Sequence, residues 1–339
     1  MSIYALSTER DWRSLLLWAL LQPALLLIDH GHFQFNGVAL GLVALAVALI
    51  HTKHDLLASA RFVFALNFKH MALYFAPSFF FVLLGRNWVT RDLFGSIWRI
   101  GLIGLAVIAS FALVWAPFLA NGTAMNVLTR MFPVARGIFE DKVANLWCSA
   151  GPIFRFKERF SAEQLFRFAA AATLSAMAPS CAMLFRRPTT RMFLLSLANV
   201  SLAFFLLAFQ VHEKNILMPL LPLSMLWSSH RHLVTSTTAI ACFSMFPLLE
   251  RDGLALQYAF FMPLLAWACF RWRSSWILLI STWIPVLFTH LLMIFVAPPK
   301  NLPHLWIMLC MVISFLHFVS VFLMTLWFQF HEMRKEKFE

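Results

Sequence analysis

The stretch IGLIGLAVIASFALVWAPFL, Ile100–Leu119, runs for twenty residues without a charged side chain. At about 1.5 Å of rise per residue, a helix of this length spans about 30 Å, the thickness of a bilayer's hydrocarbon core. Phe193–Phe209 is likewise free of charge, and Trp276–Val296 and Leu305–Phe328 are interrupted only by His290 and His317. Similar runs lie at Trp12–Ile28, Gly37–Ile50, Met71–Leu84, Leu165–Phe185, Ile216–Trp227, Val234–Leu249 and Tyr258–Phe270, with a weaker one at Leu56–Phe68 that contains Arg61. The pattern predicts an all-α, polytopic helical bundle with about twelve transmembrane crossings. The runs are unbroken where a β-barrel would alternate, which argues against a barrel.

Composition agrees. Hydrophobic residues make up 61% of the chain and charged residues 12%, against ordinary shares of about 45–50% and about 25%. No internal repeat and no low-complexity linker divides the sequence, so 1–339 reads as one membrane domain. Met1–Arg10 is polar and the apolar run after it lacks a small-residue cleavage pattern, so no cleavable signal peptide is expected. Cys181, Cys242, Cys269 and Cys310 lie in or beside apolar runs, and no cysteine spacing suggests a zinc site or a disulfide framework.

The net charge of +12 is placed as a topology signal, not as a nucleic-acid surface. Arg86, Arg91 and Arg99, the loop Arg186–Arg191, His230–His232, Arg271–Arg273 and the tail Arg334–Lys337 alternate with less basic loops, the long segment 120–164 being an exception with several basic residues, as long loops obey the rule poorly. Counting back from the C-terminus, the basic loops share one side, expected to be cytosolic, and both chain ends fall there. Asp29–Asn36, the long loop 120–164, Gln210–Asn215, Glu250–Gln257 and Ala297–His304 fall on the other. Lys337 and Lys335, third and fifth from the end, resemble a dilysine retrieval signal, which works only when cytosolic.

Three polar clusters then face one compartment. In Leu27–Asn36, read Leu-Ile-Asp-His-Gly-His-Phe-Gln-Phe-Asn, the residues Asp29, His30, His32, Gln34 and Asn36 crowd the end of an apolar run. Ionisable groups at that depth are costly and point to function, although a turn could also hold them. Within Arg130–Cys148, Arg136, Asp141, Lys142, Asn145 and Trp147 suit a phosphate or sugar ligand. An amphipathic helix lying on the membrane explains the same composition, and explains it somewhat better. His212, Glu213 and Lys214 follow Phe193–Phe209 directly, where they could bind phosphate or form an ordinary solvated turn.

Taken in order, Leu27–Asn36, the Asn67-Phe68-Lys69 turn, Phe132–Cys148 and Phe209–Asn215 closely resemble the endoplasmic-reticulum glucosyltransferases of asparagine-linked glycosylation that use dolichyl-phosphate-glucose. The run Arg-Gly-Ile-Phe-Glu-Asp-Lys-Val-Ala-Asn is more similar to the first of the two related enzymes. The resemblance implies a GT-C fold in the endoplasmic-reticulum membrane. It also implies inverting transfer of glucose, in α-1,3 linkage, to a mannose of a dolichyl-diphosphate-linked oligosaccharide, with no metal or cofactor. It puts His212 and Lys214 on the donor phosphate, with Arg136 and Lys142 as further candidates. The polar residues of Asp29–Asn36 would line the cavity, with Asp29 in a positioning role.

The family begins with a helix and a luminal loop carrying the expected catalytic base, and Met1–Arg13 offers no equivalent. The expectation is an N-terminally incomplete chain whose catalytic residue is unknown. The second glucosyltransferase of the pathway, a non-catalytic membrane subunit and a transporter are the alternatives.

Overall fold

The computed structural model describes residues 18, 21–88, 92–131, 142–271 and 276–334. Among them there is no strand. The principal helices are α1 (Asn36–His51), α2 (Asp55–Phe68), α3 (Ala76–Asn87), α4 (Leu93–Ala120), α5 (Leu146–Phe154) and α6 (Ala162–Arg186). They continue with α7 (Thr190–Leu207), α8 (Leu217–Met225), α9 (Trp227–Ser244), α10 (Ala255–Arg271), α11 (Trp276–Phe295) and α12 (Leu305–Arg334).

A helix entering a membrane must satisfy its first backbone donors before lipid closes around them. Asp92 does this for α4 by accepting from the Gly95 amide at 2.9 Å, and Thr189 does it for α7 from Met192 at 3.3 Å. Ser161 and Gln164 bond each other's backbone amides in a capping box at the start of α6.

Five helices, α4, α6, α7, α11 and α12, are long and apolar enough to cross a membrane. The other apolar runs form shorter pieces, so about twelve crossings is a finer statement than helix length supports. The run at Ile216–Trp227 breaks: α8 holds only nine residues, with Pro222 inside it, and α9 begins at Trp227. Backbone angles of φ −137 and ψ 39 at His230 then bend α9. The run at Met71–Leu84 opens as a 3-10 turn, His70–Phe75, before α3. The segment 120–164 is no open loop where it is described. It carries α5 and the short helices Ala124–Met131 and Phe156–Arg159.

Packing centres on α7, where 78% of the apolar window is buried against 6% for α4. Hence α7 is the hub, and α4 presents most of its surface outward, as a lipid-facing helix would. Inside the bundle, polar side chains are met by one another. Asn199 Nδ2 and Ser180 Oγ donate to Gln329 Oε1 at 2.8 and 2.6 Å. Thr325 Oγ1 donates to Asn199 Oδ1 at 2.7 Å, and Gln329 Nε2 returns a bond to the Ser180 carbonyl at 3.0 Å. All four residues are fully buried, so α6, α7 and α12 are bonded together where no water reaches. At Gly85, α3 lies so close to α6 that a Cβ would collide with the Phe185 carbonyl oxygen.

The two ends of the bundle gather different loops. At one end Arg86 donates to Asp55 Oδ1 and to the Ile50 carbonyl, each at 2.8 Å. There His51 also meets Thr190 at 3.0 Å, Arg191 pairs with Glu332 at 3.2 Å, and Arg187 donates to the Glu332 carbonyl. The other end brings together the turns around His32, Lys69, Lys214 and Asp252. These are the same two sets of loops that the charge alternation separates.

Candidate functional site

The apolar run before Asp29 ends in a π-helical turn, Leu26–Gly31, which leaves the Asp29 carboxylate facing the start of α1. Asn36 Nδ2 donates to Asp29 Oδ1 at 2.8 Å, and the Gly37 amide donates to Oδ2. A carboxylate is stabilised at a helix N-terminus by these donors and by the helix dipole. A Cβ on residue 37 would lie 2.9 Å from Asp29 Oδ2, so a larger residue there would push the carboxylate away from the Gly37 amide.

Asn36 is fully buried and passes the contact on, because its Oδ1 accepts from Lys69 Nζ. Lys69 Nζ also donates to Gln34 Oε1 at 3.3 Å. Asp29, Asn36, Gln34 and Lys69 thus form one arm of the site. The second arm comes from the turn after α7: Lys214 Nζ lies 3.2 Å from His32 Nε2, and His32 Nδ1 meets Asp252 Oδ2. Asn215 anchors that turn beneath Lys214 by donating to the Tyr74 hydroxyl at 2.8 Å.

The two arms feel each other electrostatically. Burial holds the Lys69 ammonium below its ordinary pKa; the Asp29 charge opposes this and the Lys214 charge adds to it. Burial likewise lowers the neighbouring His70, and the Lys69 and His212 charges lower it further. Two ammonium groups and the imidazoles of His32, His70 and His212 therefore share one polar corner at the end of apolar helices. Among the described residues, Lys214 spends one of its three N–H groups on His32, which leaves two for a ligand. Lys69 there spends two, which leaves one. Such an arrangement suits an anion with several acceptor oxygens, and phosphate is the natural case.

The sequence-predicted residues sort as follows. Asp29, His32, Gln34, Asn36 and Lys214 meet in the corner, with His212 beside His70. Glu213 opens the short 3-10 turn that carries Lys214. His30 is exposed at the edge of the π-helical turn. Asn145 is buried and caps α5, accepting from the Cys148 amide at 2.9 Å. Lys142 is exposed just before the buried Val143 and Ala144. Trp147 donates from Nε1 to the Leu207 carbonyl at 2.8 Å, which ties this segment to the end of α7 from which the Lys214 turn departs. Arg136 and Asp141 lie outside the described residues.

Lys69, His70 and Asp252 are functional candidates that the polar-cluster reading passes over. Lys69 and His70 stand as a charged pair between two apolar runs, on the side the charge alternation gives to Asp29–Asn36, and Asp252 sits in a loop of that same side. Sidedness was the signal that could have joined them to the site.

The lowered pKa has a measurable consequence. Lys69 gives up its proton at lower pH than an ordinary lysine, so its hold on an anion should fade earlier as pH rises. Lys69→Arg keeps its charge throughout and should extend binding of a phosphate-headed lipid to more alkaline pH, as followed by binding titrations from neutral to alkaline pH. Coincident pH profiles for the two proteins would take Lys69 out of the site.

Comparison with known proteins gives a consistent picture. The sequence profile of the ALG6, ALG8 glycosyltransferase family matches residues 2–324. The chain is 40% identical over 344 aligned residues to a Dictyostelium discoideum protein named a probable dolichyl pyrophosphate Man9GlcNAc2 alpha-1,3-glucosyltransferase, covering 91% of this chain and 66% of that protein. It is 38% identical to the dolichyl pyrophosphate Man9GlcNAc2 alpha-1,3-glucosyltransferase of Saccharomyces cerevisiae, covering 89% of this chain and 63% of that protein. The chain thus spans just under two thirds of the length of these relatives.

Proposed function

Because the chain belongs to the ALG6, ALG8 glycosyltransferase family, we propose that it takes part in transferring glucose from dolichyl-phosphate-glucose to a mannose of a dolichyl-diphosphate-linked oligosaccharide. The product linkage is α-1,3, with inversion at the anomeric carbon, as in the first glucosylation of the nine-mannose precursor. The names of the relatives support an alpha-1,3-glucosyltransferase of a Man9GlcNAc2 oligosaccharide, and the run Arg-Gly-Ile-Phe-Glu-Asp-Lys-Val-Ala-Asn is what favours the first glucosyltransferase over the second. The bundle is then of GT-C type, with about twelve crossings once short and broken helices are counted with the long ones.

One observation carries the reading: Lys69 and Lys214 converge on a single polar corner where apolar helices end. In the reaction the acceptor hydroxyl oxygen bonds to the anomeric carbon as the bond from that carbon to the phosphate oxygen breaks. The hydroxyl proton passes to a general base. The departing dolichyl phosphate gains a negative charge, and fixed cationic donors stabilise that charge most where water is scarce. Lys214 and His212 hold the donor phosphate, Lys69 supports them, Lys142 stands in reserve on the neighbouring segment, and Arg136 is a further candidate by sequence. Gln34, Asn36 and His32 orient the sugar or the acceptor, and Asp29 fixes their positions. The test is transfer of labelled glucose from dolichyl-phosphate-glucose to the nine-mannose lipid-linked oligosaccharide, in microsomes lacking the endogenous enzyme and supplied with this chain. Formation of the monoglucosylated product supports the proposal, and its absence at normal protein levels removes catalysis from the chain.

The site faces the lumen of the endoplasmic reticulum and both chain ends face the cytosol. A tag at the C-terminus should be removed by protease added to sealed microsomes, and changing Lys335 and Lys337 to Ser should let a fraction reach the Golgi. A protected tag would place the tail in the lumen and turn the site to the cytosol. The sequon Asn121-Gly122-Thr123 is luminal on this topology. It begins at the residue after α4 ends, with the Thr123 amide bonded back to the Phe118 carbonyl at 2.9 Å. That nearness to the bilayer should keep it unmodified. No endoglycosidase-sensitive shift is expected, and a shift abolished by Asn121→Gln would refute the argument from reach.

A further inference from the structure

The geometry points to Asp252 as a positioning residue for the donor phosphate, acting through His32 on Lys214. This rests on the reading of Lys214 as a phosphate ligand. Asp252 lies 220 residues along the chain from His32, yet its Oδ2 meets His32 Nδ1. The turn that carries it is built to reach that place. The Asp252 amide bonds the Leu248 carbonyl at 3.1 Å, and the Leu254 amide bonds Leu249 at 2.8 Å. Gly253 between them takes φ +75, a left-handed conformation that glycine adopts without strain. Leu254 then packs into the space that Gly31 leaves open, 2.9 Å from where a Cβ would stand. The turn is therefore fixed to the π-helical turn at two points, an apolar contact at Gly31 and a polar one at His32.

The chemistry follows from the tautomer. A carboxylate can only accept, so in the neutral imidazole the Nδ1 beside Asp252 carries the proton and Nε2 carries the lone pair. That lone pair accepts from Lys214 Nζ at 3.2 Å. Asp252 thereby fixes which edge of His32 faces the lysine and leaves two lysine N–H groups directed away from it. His32 and Asp252 are 19% and 26% exposed, sheltered enough for the arrangement to persist but open to the site. With Asn in place of Asp252 an amide N–H can face Nδ1, which puts the proton on Nε2 and aims a donor at the lysine.

The test is binding of dolichyl-phosphate-glucose, with dolichyl phosphate as a second probe, to the whole chain in lipid nanodiscs. Asp252→Ala and Asp252→Asn should weaken Kd for both probes about five- to tenfold with the number of binding sites per folded protein unchanged. Asp252→Glu should recover most of the affinity. In a Lys214→Ala background, Asp252→Ala should weaken binding by less than twofold more, because residues acting as a unit are not additive. A purely structural role would reduce the number of sites and leave Kd alone, and that result overturns the inference. Unchanged Kd in Asp252→Ala beside a weakened Lys214→Ala overturns it too, while sparing Lys214 as a ligand. If the wild-type chain binds neither probe, or Lys214→Ala binds both normally, the phosphate reading itself fails and the inference goes with it.

Discussion

Lys214→Ala should lower glucose transfer by about 10²–10³-fold, the loss found when one donor to a developing oxyanion is removed, with little change in the amount of folded protein. Lys214 sits in a short 3-10 turn, Glu213–Ile216, and its ammonium makes no ion pair among the described residues. The bond it gives up is the one to His32 Nε2, on a side chain that is 19% exposed. The turn itself is held elsewhere, by Asn215 on Tyr74 and by the buried Ile216. His212→Ala should fall in the same direction by a smaller factor. Transfer from dolichyl-phosphate-glucose in microsomes, normalised to protein level, measures both. Near-normal rates in both variants would remove the pair from the site.

Gly85→Val should be the most damaging single change in the bundle, costing about 3 kcal/mol or more through overpacking against a backbone that cannot yield. A side chain can rotate away from an intruding methyl group, but the Phe185 carbonyl is fixed by its own helix. Relief requires α3 and α6 to separate, and that would also loosen α3 from α7, where Ser78 and Ser196 are bonded at 3.0 Å. Gly101→Ala and Gly104→Ala are the controls. Nothing lies within 4 Å of a Cβ at either position, and alanine favours a helix over glycine by about 1 kcal/mol. Thermal unfolding in detergent should therefore show a large loss for Gly85→Val and no loss for the controls. Equal stability of all three variants would contradict the close approach.

Helical class and membrane character were legible because they depend on one-dimensional properties, the length of an apolar run and the absence of charge. Sidedness was legible for the same reason, since the loops holding His51, Arg86, Arg187 and Arg191 alternate with those holding His32, Lys214 and Asp252. What the sequence concealed is where runs break. Ile216–Trp227 reads as one element, yet the turn at Leu226, four residues after Pro222, divides it. The partners of His32 were hidden as well, because Asp252 is far away in sequence and its loop shows no motif. Asn145 reads from its neighbours as a sugar or phosphate ligand, and the bond from Cys148 shows that it caps α5.

The bonds among Ser180, Asn199, Thr325 and Gln329 also bear on how the protein is made. A ribosome delivers α6 and α7 to the membrane long before α12 exists. Gln329 lies 149 residues after Ser180 and 130 after Asn199. Throughout that interval the Asn199 amide waits without the partners it will finally have, in surroundings where an unmet polar group is costly. Closure of this part of the bundle is therefore postponed until α12 is made. Until then the nascent chain carries a polar mark of incompleteness, which membrane chaperones could shield and which a chain ending before Thr325 would carry permanently.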